Sequence, residues 1–131
     1  MAKTKKFLKT WKSSVKPGKQ RKYRANAPLH VKRKLISSHL SKEFKRKYLR
    51  RSFPLRKGDS VKILRGQFKG RRAKVASIDL KKLRVYLEGI QRPKRDGTKV
   101  NVNFDPSNLM IIEFNLEDKK RIKSLEIKLK K

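Results

Sequence analysis

The stretch KGDSVKILRGQFKGRRAKV (residues 57–75) decides the fold of this chain. Val61 and Ile63 alternate with polar residues, which predicts a half-buried β-strand. A turn containing Gly66 and Gly70 follows, and a second apolar pattern begins after it. Because glycine adopts backbone conformations that are closed to residues with a Cβ atom, this turn can fold sharply and bring its amides close to an anion. The stretch therefore predicts a hairpin with a tight loop.

Four cations surround the two glycines of this loop. A hairpin turn requires only the glycines, so the added positive charge is a separate signal, and it indicates contact with phosphates. Phe68 lies in the same loop, where it either closes the protein core or stacks on a base. The candidate phosphate-binding residues of this loop, which we take as its nucleic-acid contacts, are Arg65, Lys69, Gly70, Arg71 and Arg72.

Further alternating segments follow the hairpin. Residues 75–78 alternate with one irregularity, residues 83–87 and 99–104 alternate regularly, and residues 109–114 form a continuous apolar run typical of a buried strand. Residues rich in Gly, Pro, Asn and Asp separate them. Five short strands predict a mainly β fold, a small antiparallel barrel over residues 54–114 whose closure removes exposed edges.

Short helices are predicted on both sides of the barrel. In the basic extension, residues 1–53, one helix is predicted over 29–36 after Pro28, and Ser41 is a plausible N-cap for a second. Residues 3–24 show no periodicity, so we expect them to lack regular structure until they meet RNA. Residues 115–131 are predicted to form a C-terminal basic helix.

The charge of the chain identifies the class of partner. Its 131 residues carry 41 Lys and Arg against 10 Asp and Glu, a formal net charge of +31, and residues 1–57 contain one acid, Glu43. A compact protein with this charge density repels itself unless a polyanion neutralises it. Nucleic acid is the expected polyanion, because neutralising phosphates releases condensed counterions. A membrane surface would require an amphipathic helix with a broad apolar face, which the sequence lacks.

Two further basic surfaces are predicted. Arg92, Lys94 and Arg95 lie in a hairpin loop, residues 91–97, which is either an RNA contact or a solvated turn. Trp11 and Tyr23 lie where no protein core is expected, and we predict that they pack on RNA. The cations of the extension that are predicted to thread between RNA helices are Lys19, Arg21, Lys22, Arg24, Lys32, Arg33, Lys34, Arg46, Lys47, Arg50 and Arg51.

Catalysis and metal binding are not expected. The chain has no cysteine, and its two histidines, His30 and His39, each stand among basic and serine residues without a second ligand nearby. No nucleophile with a base, no paired carboxylates and no full phosphate-binding P-loop are present. We therefore expect no enzyme activity, no cofactor, no metal and no small-molecule substrate. The sequence also lacks a membrane-spanning or signal segment, so we expect a cytoplasmic protein.

Residues 57–75 resemble a KOW motif, and the flanking sequences resemble one family that contains this motif. They are similar to the archaeal and eukaryotic form of the large-subunit ribosomal protein L-twenty-four family, which is called L-twenty-six in eukaryotes. The segments that carry this resemblance are APLH (27–30), SSHLSKE (37–43), RRSFPLRKGD (50–59), VYLEG (85–89), DGT (96–98) and PSN (106–108). The segment SFPLRKGD is closer to the archaeal form. Ala73 departs from the family pattern, which often has a glycine there.

The resemblance implies a five-stranded SH3-like barrel and a structural role in the large ribosomal subunit. It implies binding to large-subunit ribosomal RNA near its 5′ region, help in early subunit assembly, and a place near the polypeptide exit tunnel beside neighbouring ribosomal proteins. Two rivals from other classes are a KOW-containing transcription elongation factor, which would bind polymerase, and a histone-like protein, which would prefer duplex DNA.

Overall fold

A computed structural model describes residues 7–126, and it contains seven strands and four α-helices in those residues. The strands are β1 (Ser37–Leu40), β2 (Ser52–Pro54), β3 (Ser60–Ile63), β4 (Arg72–Asp79), β5 (Arg84–Pro93), β6 (Lys99–Phe104) and β7 (Leu109–Glu113). The helices are α1 (Pro17–Asn26), α2 (Leu29–Leu35), α3 (Lys42–Tyr48) and α4 (Lys119–Glu126), with short 3₁₀ helices at Lys9–Ser13 and Pro106–Asn108. The predicted mainly β class is confirmed.

The strands form one sheet in the order β2-β1-β7-β3-β4-β5-β6. All neighbours are antiparallel except β1 and β7, which are parallel. A ring of the five predicted strands would close if β6 paired with β7. Instead β7 pairs with β1 on that edge, so the sheet of the described residues is open and the predicted barrel closure is not confirmed.

Most of the alternating apolar residues of the predicted strands form the core, although Val100 of β6 is 42% exposed. Val61, Ile63, Val75 and Val85 are fully buried, as are Leu109 and Ile111 of β7. Burying one such side chain contributes about 1.5–3 kcal/mol. The irregularity predicted in the second strand is present as a register shift between Val75 and Ser77. Ala73 has no positive φ, so the strand accepts alanine where the family often has glycine.

Two strands, β1 and β2, were not predicted, because their short segments show little apolar alternation. Leu40 is the fully buried apolar residue of β1, and Ser38 is also buried. The Ser38 hydroxyl donates a 2.5 Å hydrogen bond to the Pro106 carbonyl, which satisfies a polar group inside the core. Ser38, which follows the helix predicted over residues 29–36, therefore lies in an interior strand between β2 and β7.

The helices of the extension agree with the prediction in part. Helix α3 begins after Ser41, whose hydroxyl accepts a hydrogen bond from the Phe44 amide at 3.3 Å, as expected of an N-cap. Helix α2 spans Leu29–Leu35, one residue shorter than the predicted range of 29–36. Helix α1 lies where no regular structure was predicted. Pro17 occupies its first turn and good helix formers such as Lys, Gln and Arg follow, which favours a helix without any apolar stripe.

The C-terminal helix α4 begins later than predicted. Residues 115–118 precede the helix, which begins at Lys119, and the Asn115 side chain accepts a hydrogen bond from the Glu117 amide within a turn. Asp118 precedes the helix and accepts from the Lys120 amide at 2.8 Å. The helix buries Leu125 in the core. The remainder of the helix predicted over residues 115–131 lies outside the described residues.

Candidate nucleic-acid interface

The loop between β3 and β4, residues 64–71, is a tight turn. Gly66 and Gly70 have φ values of +91° and +88°, which residues with a Cβ atom rarely adopt. The Gly70 amide donates to the Ile63 carbonyl at 2.9 Å, and the Lys69 amide donates to the Gly66 carbonyl at 3.1 Å. The predicted need for two glycines is confirmed. The turn presents its cations from a fixed backbone.

The four cations of this loop region point into solvent. Arg65, Lys69, Arg71 and Arg72 are exposed, and none of them forms an ion pair with a carboxylate among residues 7–126. The guanidinium of Arg71 lies 5.4 Å from the centre of the Phe68 ring, a cation–π distance. Their positive charge is therefore available to an external anion.

Phe68 packs on the protein core. Its ring meets the Phe104 ring edge to face, with 6.1 Å between the ring centres, and the side chain is half-buried. The structure thus favours the core-packing alternative over base stacking for this residue. Its role is to hold the basic loop against β6 and to support Arg71.

The β5–β6 hairpin ends in a second fixed turn. The Lys94 amide donates to the Thr98 carbonyl at 2.8 Å, and the Gly97 amide donates to the Lys94 carbonyl at 3.1 Å. Asp96 accepts hydrogen bonds from the hydroxyl and the amide of Thr98, and these bonds hold the pKa of the Asp96 carboxyl below its usual value. Asp96 therefore shapes the turn, and Arg92, Lys94 and Arg95 remain exposed around it.

The two loops touch each other. The Nη2 atom of Arg92 in the hairpin donates a 3.1 Å hydrogen bond to Oε1 of Gln67 in the basic loop. The sequence predicted the two loops separately and gave no sign of this contact, because 25 residues separate the partners. We call the combined cationic area the loop–hairpin surface, and its cations are Arg65, Lys69, Arg71, Arg72, Arg92, Lys94 and Arg95.

Most cations of the extension are also exposed. Helix α1 buries no residue, and it presents Lys19, Arg21, Lys22 and Arg24 to solvent. Tyr23 of this helix is only partly exposed. The centre of its ring lies 5.1 Å from the centre of the Phe7 ring, so this side chain packs on the protein. The other exposed cations that were predicted to bind RNA in the extension are Arg33, Lys34, Arg46, Lys47 and Arg51.

Two predicted RNA-binding residues differ from the rest. Lys32 is buried, and its Nζ atom donates a 3.3 Å hydrogen bond to the Lys81 carbonyl. This ammonium group therefore contacts the protein. Arg50 is half-buried, with its guanidinium 5.6 Å from the centre of the Phe53 ring. Both residues use their charge and their aliphatic stems inside the fold.

Sequence reasoning missed a buried ion pair. Asp59 and Arg121 have side chains with 0% and 2% exposure, and their charged groups join at 2.6 Å. Asp59 also accepts from the backbone amides of Arg56 at 2.8 Å and Asn115 at 3.0 Å. A lone acid directly after Gly58 in a very basic segment was the available signal, although it did not identify the partner.

The described residues show neither a metal site nor a membrane span. Over residues 7–126 no group of three or more His, Cys, Asp or Glu side chains is arranged to hold a metal ion. Within the same range no helix has the length and the apolar character needed to cross a membrane.

Comparison with known proteins gives one family. The family described as ribosomal proteins, L26 in eukaryotes and L24 in archaea, matches residues 14–128. A protein named "Large ribosomal subunit protein uL24" from Korarchaeum cryptofilum (strain OPF8) is 47% identical over 115 residues, which cover 88% of both chains. A protein of the same name from Methanosphaera stadtmanae is 46% identical over 115 residues, 88% of this chain and 98% of its own. The chain therefore belongs to the family of eukaryotic L26 and archaeal L24 ribosomal proteins.

Proposed function

We propose that this chain binds large-subunit ribosomal RNA, near the 5′ region of that RNA, and assists early assembly of the subunit. Its family makes it a structural, non-enzymatic component of the large ribosomal subunit, located in the cytoplasm and serving translation. The proposal adds the RNA contact, the step of assembly and a position near the polypeptide exit tunnel beside other ribosomal proteins.

The observation that carries the proposal is the hydrogen bond between Arg92 and Gln67. It joins two rigid loops into the loop–hairpin surface, whose seven cations are exposed and form no ion pair within the described residues. Charges fixed on a rigid frame lose little conformational freedom when they bind, so each phosphate contact costs less to form. Such a surface fits the closely spaced phosphates of folded RNA.

Recognition would be mainly of shape and backbone. Arginine forms paired hydrogen bonds to phosphate oxygens, and structured RNA offers its phosphates and ribose hydroxyls more readily than its base edges. The exposed cations of α1, α2 and α3 would reach between RNA helices and neutralise packed phosphates. We also propose that β3 to β7 correspond to the five strands of an SH3-like KOW domain in which β1 occupies the closing edge.

A binding competition tests the proposal against the DNA-binding alternative. The full chain would be titrated with deproteinised large-subunit ribosomal RNA and with duplex DNA of matched length at several salt concentrations. We expect tighter binding to the RNA at every salt concentration. Equal or tighter binding to the duplex DNA would contradict the proposal and support a histone-like role.

The assembly role has its own test. Large subunits would be reconstituted from purified components with and without the chain, and the particles would be separated by sedimentation. We expect omission to leave precursor particles that sediment more slowly and that lack proteins added later. Particles that sediment normally and contain the later proteins when the chain is omitted would contradict an early role, while leaving RNA binding in place.

A further inference from the structure

A groove with a volume of about 530 Å³ lies between helix α1 and the turn that joins β4 to β5. Arg21 and Arg24 line it from the helix, and Lys81 and Lys82 line it from the turn. In the part of the chain that the structure describes, these four cations make no ion pair. Like charges brought to a common space repel each other, and an anion between them removes that cost. We call this space the α1 groove.

The turn that carries Lys81 and Lys82 is fixed to the fold. The buried ammonium group of Lys32 donates to the Lys81 carbonyl at 3.3 Å. The Lys82 amide donates to Oδ1 of Asp79 at 3.0 Å. The backbone of the turn is therefore held in place, while both lysine side chains are exposed. The hydrogen bond from Lys32 to the Lys81 carbonyl gives the buried Lys32 a structural role, since it holds the turn that carries the two exposed lysines.

The groove has an apolar lining between its charged walls. Ala25, Leu35, Leu83 and Pro106 contribute to this lining, and Leu35 remains 37% exposed. Apolar surface adds nothing to the binding of a simple anion, whereas a nucleotide has a ribose and a base that pack against it. The volume falls within the range of roughly 300–1,000 Å³ for pockets that hold ligands of drug size, which includes a nucleotide.

The carboxylate in the groove is already neutralised. Asp105 accepts a hydrogen bond from the Arg84 guanidinium at 2.8 Å, and both side chains line the same space. The remaining charge of the α1 groove is therefore positive. Charge and apolar lining together select a polyanion that exposes bases.

We propose that the α1 groove binds a single-stranded segment of ribosomal RNA. Arg21 and Arg24 contact its phosphates from one side, Lys81 and Lys82 contact them from the other, and Leu35 and Leu83 pack against an unstacked nucleotide. The proposal rests on the proposed function and specifies what Arg21 and Arg24 of α1 contact there, at a site apart from the loop–hairpin surface. Neither Lys81 nor Lys82 stood out in the sequence.

Site-directed crosslinking tests the position and the kind of RNA. The chain contains no cysteine, so a single introduced cysteine can carry a benzophenone maleimide label. Ser107→Cys places the label at the α1 groove. Ser77→Cys places it at a separate groove, in which Glu117 and Asp118 lie beside basic residues such as Arg33 and Lys57. Each labelled chain would be bound to deproteinised large-subunit ribosomal RNA, irradiated, and mapped by reverse transcription.

We expect the Ser107→Cys label to crosslink to unpaired nucleotides in higher yield than the Ser77→Cys label. Equal yields from the two positions, or crosslinks from Ser107→Cys confined to double-helical RNA, would overturn the proposed groove.

Salt dependence gives a second readout. The variant Lys81→Ala with Lys82→Ala should weaken binding and reduce the slope of log K against log salt by about 0.7 for each phosphate of single-stranded RNA that is no longer neutralised. The control is Lys119→Ala with Lys120→Ala, a matched pair of adjacent exposed lysines outside the groove, which should change the slope less. If the unmodified chain fails to bind the RNA, the proposed function is wrong. If it binds and the groove variant matches it, only the groove is wrong.

Discussion

Both terminal nitrogens of Arg121 donate hydrogen bonds to the Asp59 carboxylate, each to a different oxygen at 2.6 Å. The pair fastens helix α4 to the start of β3 across 62 residues of sequence. The guanidinium also lies 5.7 Å from the centre of the Phe53 ring and 5.1 Å from the centre of the Phe114 ring. These interactions make the C-terminal helix part of the folded core.

Removing one partner of this pair should destabilise the protein strongly. Arg121→Ala leaves the buried Asp59 carboxylate without its counter-ion, and breaking such a pair costs about 3–5 kcal/mol. The measurement is the free energy of unfolding in urea. Arg84→Ala is the matched control, because its pair with Asp105 is exposed and should contribute no more than about 1 kcal/mol. Equal losses in the two variants would show that the buried pair has no special role.

Leu49 offers a stabilising substitution. It ends α3 with a φ of +50°, a left-handed conformation that costs a residue with a Cβ atom about 1–2 kcal/mol, and its side chain is 62% exposed. Because glycine adopts this conformation freely, Leu49→Gly should raise the free energy of unfolding by about 0.5–1 kcal/mol. Leu29→Gly, at an exposed leucine in α2, should lower it by a similar amount. A loss of stability in both variants would refute the argument from φ.

The loop–hairpin surface can be tested through salt. Arg71→Ala with Arg72→Ala should weaken binding to ribosomal RNA and flatten the salt slope by about 0.7–0.9 for each phosphate that the variant no longer neutralises. The control is Arg56→Ala, since Asp118 already offsets the charge of Arg56. An unchanged slope in the double variant would remove the basic loop from the mechanism.

Asp118 should titrate at low pH. The hydrogen bond from the Arg56 side chain, followed by the Lys120 amide, lowers the pKa of the Asp118 carboxyl below its usual value. The pKa of Asp118 is therefore lower in the folded protein than in the unfolded chain. Its interaction with Arg56 stabilises the fold above the unfolded pKa of about 3.9, and this stabilisation is lost as the pH falls through the folded pKa. Carboxyl-carbon NMR titration should show the pKa rising in Arg56→Ala. No rise would mean that Arg56 does not hold this carboxylate in solution.

Local pattern in the sequence was sufficient for several elements. The alternation at Val61 and Ile63 predicted β3, and Ser41 predicted the start of α3. Gly66 and Gly70 predicted the shape of the basic loop. These signals depend on neighbouring residues only, because strand periodicity, capping and turn conformation are local properties. The positions of the basic residues likewise predicted most of the exposed cations.

The sequence prediction was incomplete where distant segments meet. Strand β1 has serine at half its positions and is a strand because β2 and β7 pair with it on either side. Lys32 was predicted to bind RNA; the structure shows that it is buried and that its Nζ atom donates to the carbonyl of Lys81, 49 residues away. No pattern within either segment records such a partner.

The sequence by itself determined that this chain carries a large positive charge, that its middle is made of alternating strands, and that a glycine-framed basic loop joins two of them. Only the tertiary structure decided that β1 pairs with β7, so that the sheet stays open. It also decided that Arg92 donates a hydrogen bond to Gln67 and that Arg121 forms an ion pair with Asp59. The physical reason is that composition and periodicity are properties of one segment. A hydrogen bond or ion pair across the fold depends on how the whole chain packs.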